Sequence, residues 1–371
     1  MREIEKIVEA YQRIDWQTEK VALGTVVKVE GSAYRRIGAR MFVSNNGQWV
    51  GGISGGCLEG DALKRAQMAI MKNESSIVVY DTTEDDPHQI GVGLGCNGRI
   101  EVLFTPIDHT NVNNQIAFLK TITNKRTPSI LLQILNIEGK EKSKQGNFYT
   151  SDNLLQLAEE TNLSLTEIEA KVNLVLQRRK SKVFTFVNKD GNKLEILFEL
   201  IRPKIRLVCI GDNYDVNAFM GIATELGWEV HVAGKARKLS KTVYAHAQKI
   251  YSIAEAEHIE VDDYTAIILM SHDYKTDLTL LKKYLFLDVP YIGLLGPKKR
   301  MFKMQDELNE NGGEVNLETV SNLYAPVGLD IGAESPEEIA LSIAAEIVAV
   351  FRQRNGTYLR NRKGAIHERM D

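Results

Sequence analysis

Cys57 closes the run Gly51-Gly52-Ile53-Ser54-Gly55-Gly56-Cys57, just ahead of a helical pattern that begins at Leu58. A thiol there can act as a soft metal ligand or as a sulfur nucleophile, because a helix N-terminus favours the thiolate. Arg36 and Arg40 precede it in a basic, glycine-spaced loop with Gly31, Ser32, Arg35 and Gly38. Guanidinium groups beside bare backbone N–H groups suit a phosphate. A second cluster, Gly91-Val92-Gly93-Leu94-Gly95-Cys96-Asn97-Gly98-Arg99, repeats the same logic. Two such loops in one domain predict a composite ligand site built from Arg36, Arg40, Gly55, Gly56, Cys57, Cys96 and Arg99. The plainer alternative is a set of tight turns, each holding a small inert cysteine.

These loops must be held by strands and a helix. Ile4, Ile7, Val8, Tyr11 and Ile14 recur at helical spacing. The β-branched run 21–29 reads as a buried strand that delivers the chain to Gly31, and Met41-Phe42-Val43 returns through an Asn46-Gly47 hairpin. Residues 58–71 form a helix, residues 77–80 and 100–104 form strands, and the acidic 81–87 stretch is turn-like. Residues 106–203 carry no evident chemistry and complete an N-terminal α+β domain, with a hairpin at Asp190-Gly191.

From Lys204 apolar strands alternate with helices at 205–210, 228–233, 249–252, 266–270 and 291–294, the signature of a doubly wound parallel sheet. Ligands of such sheets bind beyond the carboxyl ends of the strands. There Gly211-Asp212-Asn213-Tyr214-Asp215-Val216 keeps only the first glycine of the dinucleotide fingerprint, and Ala233-Gly234-Lys235 offers no ribose-binding acid. The other carboxyl-end candidates are His272, beside Asp273, and Gly296-Pro297-Lys298-Lys299-Arg300, where a helix start and three cations suit phosphate. His272 fits an acid/base couple or a loop hydrogen bond, and the lysines fit a phosphate or a solvated face. Ser335, Pro336 and Glu338 make a capping box for a last helix over 336–352, and 353–371 is a basic tail. The chain therefore divides into 1–203, 204–352 and 353–371.

With 371 residues, 43% hydrophobic and 26% charged, the sequence describes a globular protein of two or three domains. A net charge of −3 gives no electrostatic pull toward nucleic acid or a membrane surface, and no apolar run spans a bilayer. Cys57, Cys96 and Cys209 form no disulfide framework and no C-x-x-C pair, so a reducing cytoplasm is expected and a structural zinc site is not.

Taken jointly and in order, several motifs resemble the xanthine dehydrogenase accessory protein family of the XdhC/CoxI type. In the first domain they are Gly31-Ser32, Arg36, Gly38-Ala39-Arg40-Met41, Gly51 to Glu59, and Gly95-Cys96-Asn97-Gly98-Arg99. In the second they are Ser271-His272-Asp273, Tyr291 to Gly296, and Pro326 to Pro336. The resemblance implies a homodimeric chaperone with a Rossmann-like second domain. It implies molybdenum cofactor of the molybdopterin type as ligand and a molybdenum hydroxylase apoenzyme as recipient. A cysteine desulfurase is the implied sulfur source, and Cys57 becomes a candidate ligand to molybdenum. The competing functions are an NAD(P)-dependent oxidoreductase using the second domain, which the broken fingerprint disfavours, and a binding module without a ligand.

Overall fold

A computed structural model describes residues 1–31, 35–81, 98–310 and 314–363. Cys96, with the rest of the 91–97 cluster and the acidic 82–87 stretch, lies outside the described residues. Two compact units divide the chain, Met1–Pro203 and Lys204–Asp371.

The first unit opens with α1 (Arg2–Tyr11), whose Ile4, Ile7 and Val8 are buried as their spacing requires. Then come β1 (Val21–Gly31), β2 (Arg40–Ser44), β3 (Trp49–Gly51), α2 (Glu59–Lys72), β4 (Ser76–Asp81) and β5 (Gly98–Pro106). They build an antiparallel sheet of order β3-β2-β1-β5-β4. Successive side chains of a strand face opposite sides, and here the two faces have different partners. Ala22, Val26, Met41, Val43, Val102 and Phe104 pack with Ala62, Ala66 and Ala69 of α2. The alternate set faces a second sheet, which contains the hairpin predicted at Asp190-Gly191.

That second sheet comes from α3 (Gln115–Thr123), β6 (Ser129–Ile137), β7 (Phe148–Thr150), α4 (Leu154–Thr161), α5 (Leu165–Arg178), β8 (Lys182–Val187) and β9 (Lys193–Ile201). Its order is β7-β6-β9-β8, antiparallel throughout. Val27 and Leu103 of the first sheet meet Leu135 and Leu197 of the second. The other face of the second sheet is closed by Leu157 of α4 and by Ile168, Val172 and Val175 of α5. Burial on both faces explains why β6 reads from Ile130 to Leu135 as an apolar stretch broken only by the buried Gln133, rather than as an alternation.

The second unit contains β10 (Arg206–Ile210), α6 (Tyr214–Glu225), β11 (Glu229–Ala233), α7 (Lys241–His246), β12 (Lys249–Tyr251), β13 (Thr265–Leu269), α8 (Tyr274–Tyr284), β14 (Tyr291–Leu294), α9 (Lys298–Glu310), β15 (Leu323–Tyr324) and α10 (Pro336–Phe351). All five strand pairings are parallel, in the order β12-β11-β10-β13-β14-β15. This is the Rossmann order, and the chain reverses direction across the sheet between β10 and β13. α6 and α10 cover one face, α8 and α9 the other. The capping box of α10 is formed as its sequence predicts. The expected C-terminal tail starts one residue beyond the C-cap, and Gly356 within it lies against Leu329. No helix among the described residues is long and apolar enough to cross a membrane.

Candidate functional site

In the first unit the chain leaves β3 through Gly51 and Gly52 and enters α2 at Glu59. At Gly51 (φ +83°) a Cβ would stand 2.2 Å from Arg40 O, so this glycine is fixed by its own backbone neighbour rather than by a ligand. Ser54 organises the turn that follows. Its Oγ accepts from Gly56 N at 3.2 Å and Leu58 N at 3.1 Å, and it donates to Glu59 Oε2. Ser54 N donates to Glu59 Oε1 at 2.8 Å. The Glu59 carboxylate therefore occupies the helix N-terminus that the sequence had offered to an external anion. Burial opposes its ionisation, but bonds from the Ser54 hydroxyl and from the N–H groups of Ser54, Glu59 and Gly56 hold it below the usual carboxylate range.

What remains presented is the thiol. Cys57 is exposed, with Sγ 3.6 Å from Ser54 Oγ. Gly55 and Gly56 beside it are exposed, and a Cβ on Gly56 would meet nothing within 4 Å, so the turn leaves open space on that side. Because the Glu59 carboxyl is lowered, its contribution to the turn is complete above the unfolded value near 4.5 and is lost as pH falls through the lower folded value. Protection of the Ser54, Gly56 and Leu58 amides, taken relative to the intrinsic exchange rate at each pH, should therefore fall as the solution is acidified below the unfolded value near 4.5. Glu59→Gln should already show that loss of protection at neutral pH, and an unchanged pattern would remove Glu59 from the turn.

Arg40 and Arg99 do not converge on this thiol. Arg40 is 1% exposed and grips both carboxylate oxygens of Glu199 on β9, with Nη1 also donating to Gly38 O at 2.7 Å. Arg40, expected to meet a phosphate, is thus a dry clasp between the two sheets. Arg99 meets Glu101 at 2.9 Å and Glu30 at 3.2 Å, and Glu101 also meets Lys28. Its strand neighbour Ile100 packs with α2, so the pleat places this ion network on the opposite face of the sheet from the helix that carries Cys57. Arg36 is exposed, and its neighbour Arg35 pairs with Glu3 of α1.

In the second unit the crevice between β10 and β13 is bridged by side chains. Asn213, at the second glycine position of a dinucleotide fingerprint, donates Nδ2 to Met270 O at 2.6 Å and caps α6 through Val216 N. Asp212 accepts from Lys235 N at 3.0 Å and lies 3.6 Å from Lys238 Nζ. Where a pyrophosphate would approach the backbone, the loops are bonded to each other. We expect NAD and NADP to bind with Kd of about 1 mM or weaker. Micromolar binding by calorimetry would contradict that.

His272 takes a left-handed backbone (φ +58°) and donates Nε2–H to Asp215 Oδ2 at 2.8 Å; its sequence neighbour Asp273 instead caps α8 through Thr276 N. His272 therefore hydrogen-bonds Asp215 and not its sequence neighbour Asp273. Gly296 (φ +128°) leads into α9, with Arg300 Cδ 2.9 Å from where its Cβ would be. Lys298 is exposed and pairs with Glu318 at 2.8 Å. Arg300 reaches inward to the buried Asp277 at 2.6 Å, which also accepts from Ser271. Burial raises the Asp277 carboxyl, while the Ser271 bonds and Arg300 pull it down. Of three cations at this helix start, one is therefore spent on the fold and one on a surface pair.

The bonds that Ser54, Glu59, Asp215 and Glu199 make were not predicted from the sequence. Ser54 and Glu59 are five apart rather than the three of a capping box, and Glu199 is 159 positions from Arg40. No group of three His, Cys, Asp or Glu that could hold a metal occurs among the described residues.

Comparison with known proteins decides the family. Residues 16–81 match the XdhC and CoxI family, and residues 207–347 match the XdhC Rossmann domain. The chain belongs to the XdhC and CoxI family. A probable xanthine dehydrogenase subunit of Bacillus subtilis (strain 168) is 27% identical over 337 residues, 89% of this chain and 93% of that one. Molybdenum cofactor insertion chaperone PaoD of Escherichia coli (strain K12) is 25% identical over 328 residues, 88% of this chain and 82% of that one. A crystal structure of a xanthine dehydrogenase from Bacillus halodurans superposes with a TM-score of 0.70 at 25% identity, covering 95% of this chain and 96% of that one. The first XdhC match contains the Ser54–Glu59 turn with Cys57, and the second contains the bridged crevice with His272. Residues 82–206, with the second sheet, lie outside both.

Proposed function

We propose that this XdhC-family chain binds molybdenum cofactor, shelters it, and delivers it to a molybdenum hydroxylase apoenzyme such as xanthine dehydrogenase. The likeness to a molybdenum cofactor insertion chaperone over 88% of this chain carries the proposal. The residues fit the sulfur-and-metal end of such a cofactor: a thiol presented on an open glycine turn is a soft ligand for molybdenum or an acceptor for sulfur. The α2 N-terminus, Arg40 and Arg99 do not fit the phosphate end, since carboxylates already satisfy all three.

When bound, the cofactor supplies the redox-active metal that the recipient enzyme uses. This chain supplies placement. Ser54 and Glu59 hold the turn, Gly55 and Gly56 keep its approach clear, and Cys57 presents Sγ. Arg36, exposed on the loop before β2, supplies a cation on this reading, and Cys96 is assigned to the same site by family likeness alone. His272, Gly296 and Lys298 remain candidate contacts on the second unit. A homodimer, and a cysteine desulfurase that provides sulfur, complete the proposal.

The test is to purify the chain anaerobically from cells that make molybdopterin and then oxidise it. Release of a fluorescent pterin, near one per chain or per dimer, is expected. Protein that releases none under conditions where a known carrier does would end the proposal.

A further inference from the structure

The second sheet carries a cavity of about 150 Å³ that neither family match covers. Its walls come from the turn before α3, from α3 itself, from β7 and from α4. Five carboxamides line it: Asn111, Asn113, Gln115, Asn147 and Gln156. Phe118, Phe148 and Tyr149 supply aromatic surface, and Glu160 is the one charged lining residue. No lysine or arginine lines it, so a phosphate or carboxylate ligand would meet uncompensated negative charge.

Gln115 and Tyr149 are buried, Asn147 and Glu160 are half-buried, and Asn111, Asn113 and Gln156 are exposed, so the cavity has a buried floor and opens to the surface. Gln115 is 8% exposed and fixed by Nε2 donating to Gly146 O at 3.0 Å. Tyr149 is 2% exposed, and its hydroxyl donates to Glu160 Oε2 at 2.5 Å. Gln156 Nε2 donates to Glu160 Oε1 at 2.7 Å. Each carboxylate oxygen thus receives one bond within the chain and retains capacity for another. Two parallel acceptors at one carboxylate suit two adjacent N–H donors on a planar ring, and aromatic walls with carboxamides suit its faces and remaining edge. The volume matches a ring system, well short of the 300 Å³ or more typical of whole-ligand sites.

We infer that this cavity binds the 2-amino-4-oxo edge of a pterin or guanine ring, with Glu160 accepting from the amino group and the adjacent ring N–H. The choice of pterin over other lactam–amine rings rests on the proposed cofactor role; the edge chemistry rests on the cavity alone. In that arrangement Tyr149 and Gln156 hold the Glu160 carboxylate in place. A pterin seated here would be recognised by its ring while its metal end is handled by other residues.

The experiment titrates the full chain with free pterin, followed by pterin fluorescence. Lumazine, which has an oxo group in place of the 2-amino group, serves as the ligand-side deletion, and guanosine as competitor. Pterin is expected to bind at least tenfold more tightly than lumazine, and Glu160→Gln to weaken pterin by a similar factor. Competition by guanosine would assign the shared edge, and its failure would restrict the site to pterin; either upholds the inference. Equal binding of pterin and lumazine to the unmodified chain, or no binding of either, overturns it without relying on any variant's folding. A chain that releases cofactor-derived pterin on oxidation yet ignores free pterin would overturn this inference while leaving the proposed function standing. The reverse pattern would overturn the proposed function alone.

Discussion

Arg40→Ala should unfold the first unit readily, with a loss of about 3–5 kcal/mol, because it strands the Glu199 carboxylate in a site where that residue is 7% exposed. For a unit of about 200 residues that corresponds to a fall in Tm on the order of 10 °C. The guanidinium binds Glu199 bidentately, donates to Gly38 O, and stands 5.8 Å from the Phe148 ring. It is the polar link between β2 of one sheet and β9 of the other. Gly38 belongs to the same clasp: at φ +88° its Cβ would fall 2.2 Å from Glu199 Oε1. Replacing Arg40 and Glu199 together by Leu should recover most of the loss, since a buried ion pair is often matched by apolar residues of similar volume. Thermal denaturation of the three proteins reads this directly. An Arg40→Ala chain as stable as the parent would return Arg40 to a ligand-facing role.

Cys57→Ser should leave stability within about 0.5 kcal/mol, because the thiol is exposed and its one polar neighbour in the turn, Ser54, keeps its own bonds. Cofactor retention or delivery should nevertheless fall about tenfold or more, the effect of removing one ligand interaction worth roughly 1.4 kcal/mol or above. Serine has similar size but is a hard oxygen, so it separates thiol chemistry from shape. Delivery at the parent level would make Cys57 a residue of the turn and nothing more.

These two residues also show where sequence was informative. The helices and strands came through because their apolar periodicity depends only on near neighbours. The parallel order of the second unit followed from strand–helix alternation, and the α10 cap from a three-residue spacing. Cys57 stood out because a thiol beside glycines is rare in type and local in context. Arg40 misled for the opposite reason. Its composition and position resemble those of a phosphate ligand, while its partner lies across the molecule on a strand in a stretch that carried no chemical signal. Arg99 misled similarly, since only strand pairing brings Glu30 and Glu101 beside it. The second sheet was legible in part: its hairpin at Asp190-Gly191 is formed, but its existence as a separate sheet was not evident, because β6 joins that hairpin from far along the chain. His272 was half legible: the residue was visible, but its acid, Asp215, sits 57 positions earlier and reaches it only when β10 and β13 lie side by side.

Transfer is the property on which the whole assignment turns. The measurement is activation of a purified, cofactor-free molybdenum hydroxylase by anaerobically purified chain, with Cys57→Ser in parallel and free cofactor competed away by an excess of unrelated acceptor. The parent chain should restore hydroxylase activity in proportion to the pterin it carries, and Cys57→Ser should restore about a tenth or less. Pterin-loaded parent chain that leaves the apoenzyme inactive would contradict delivery.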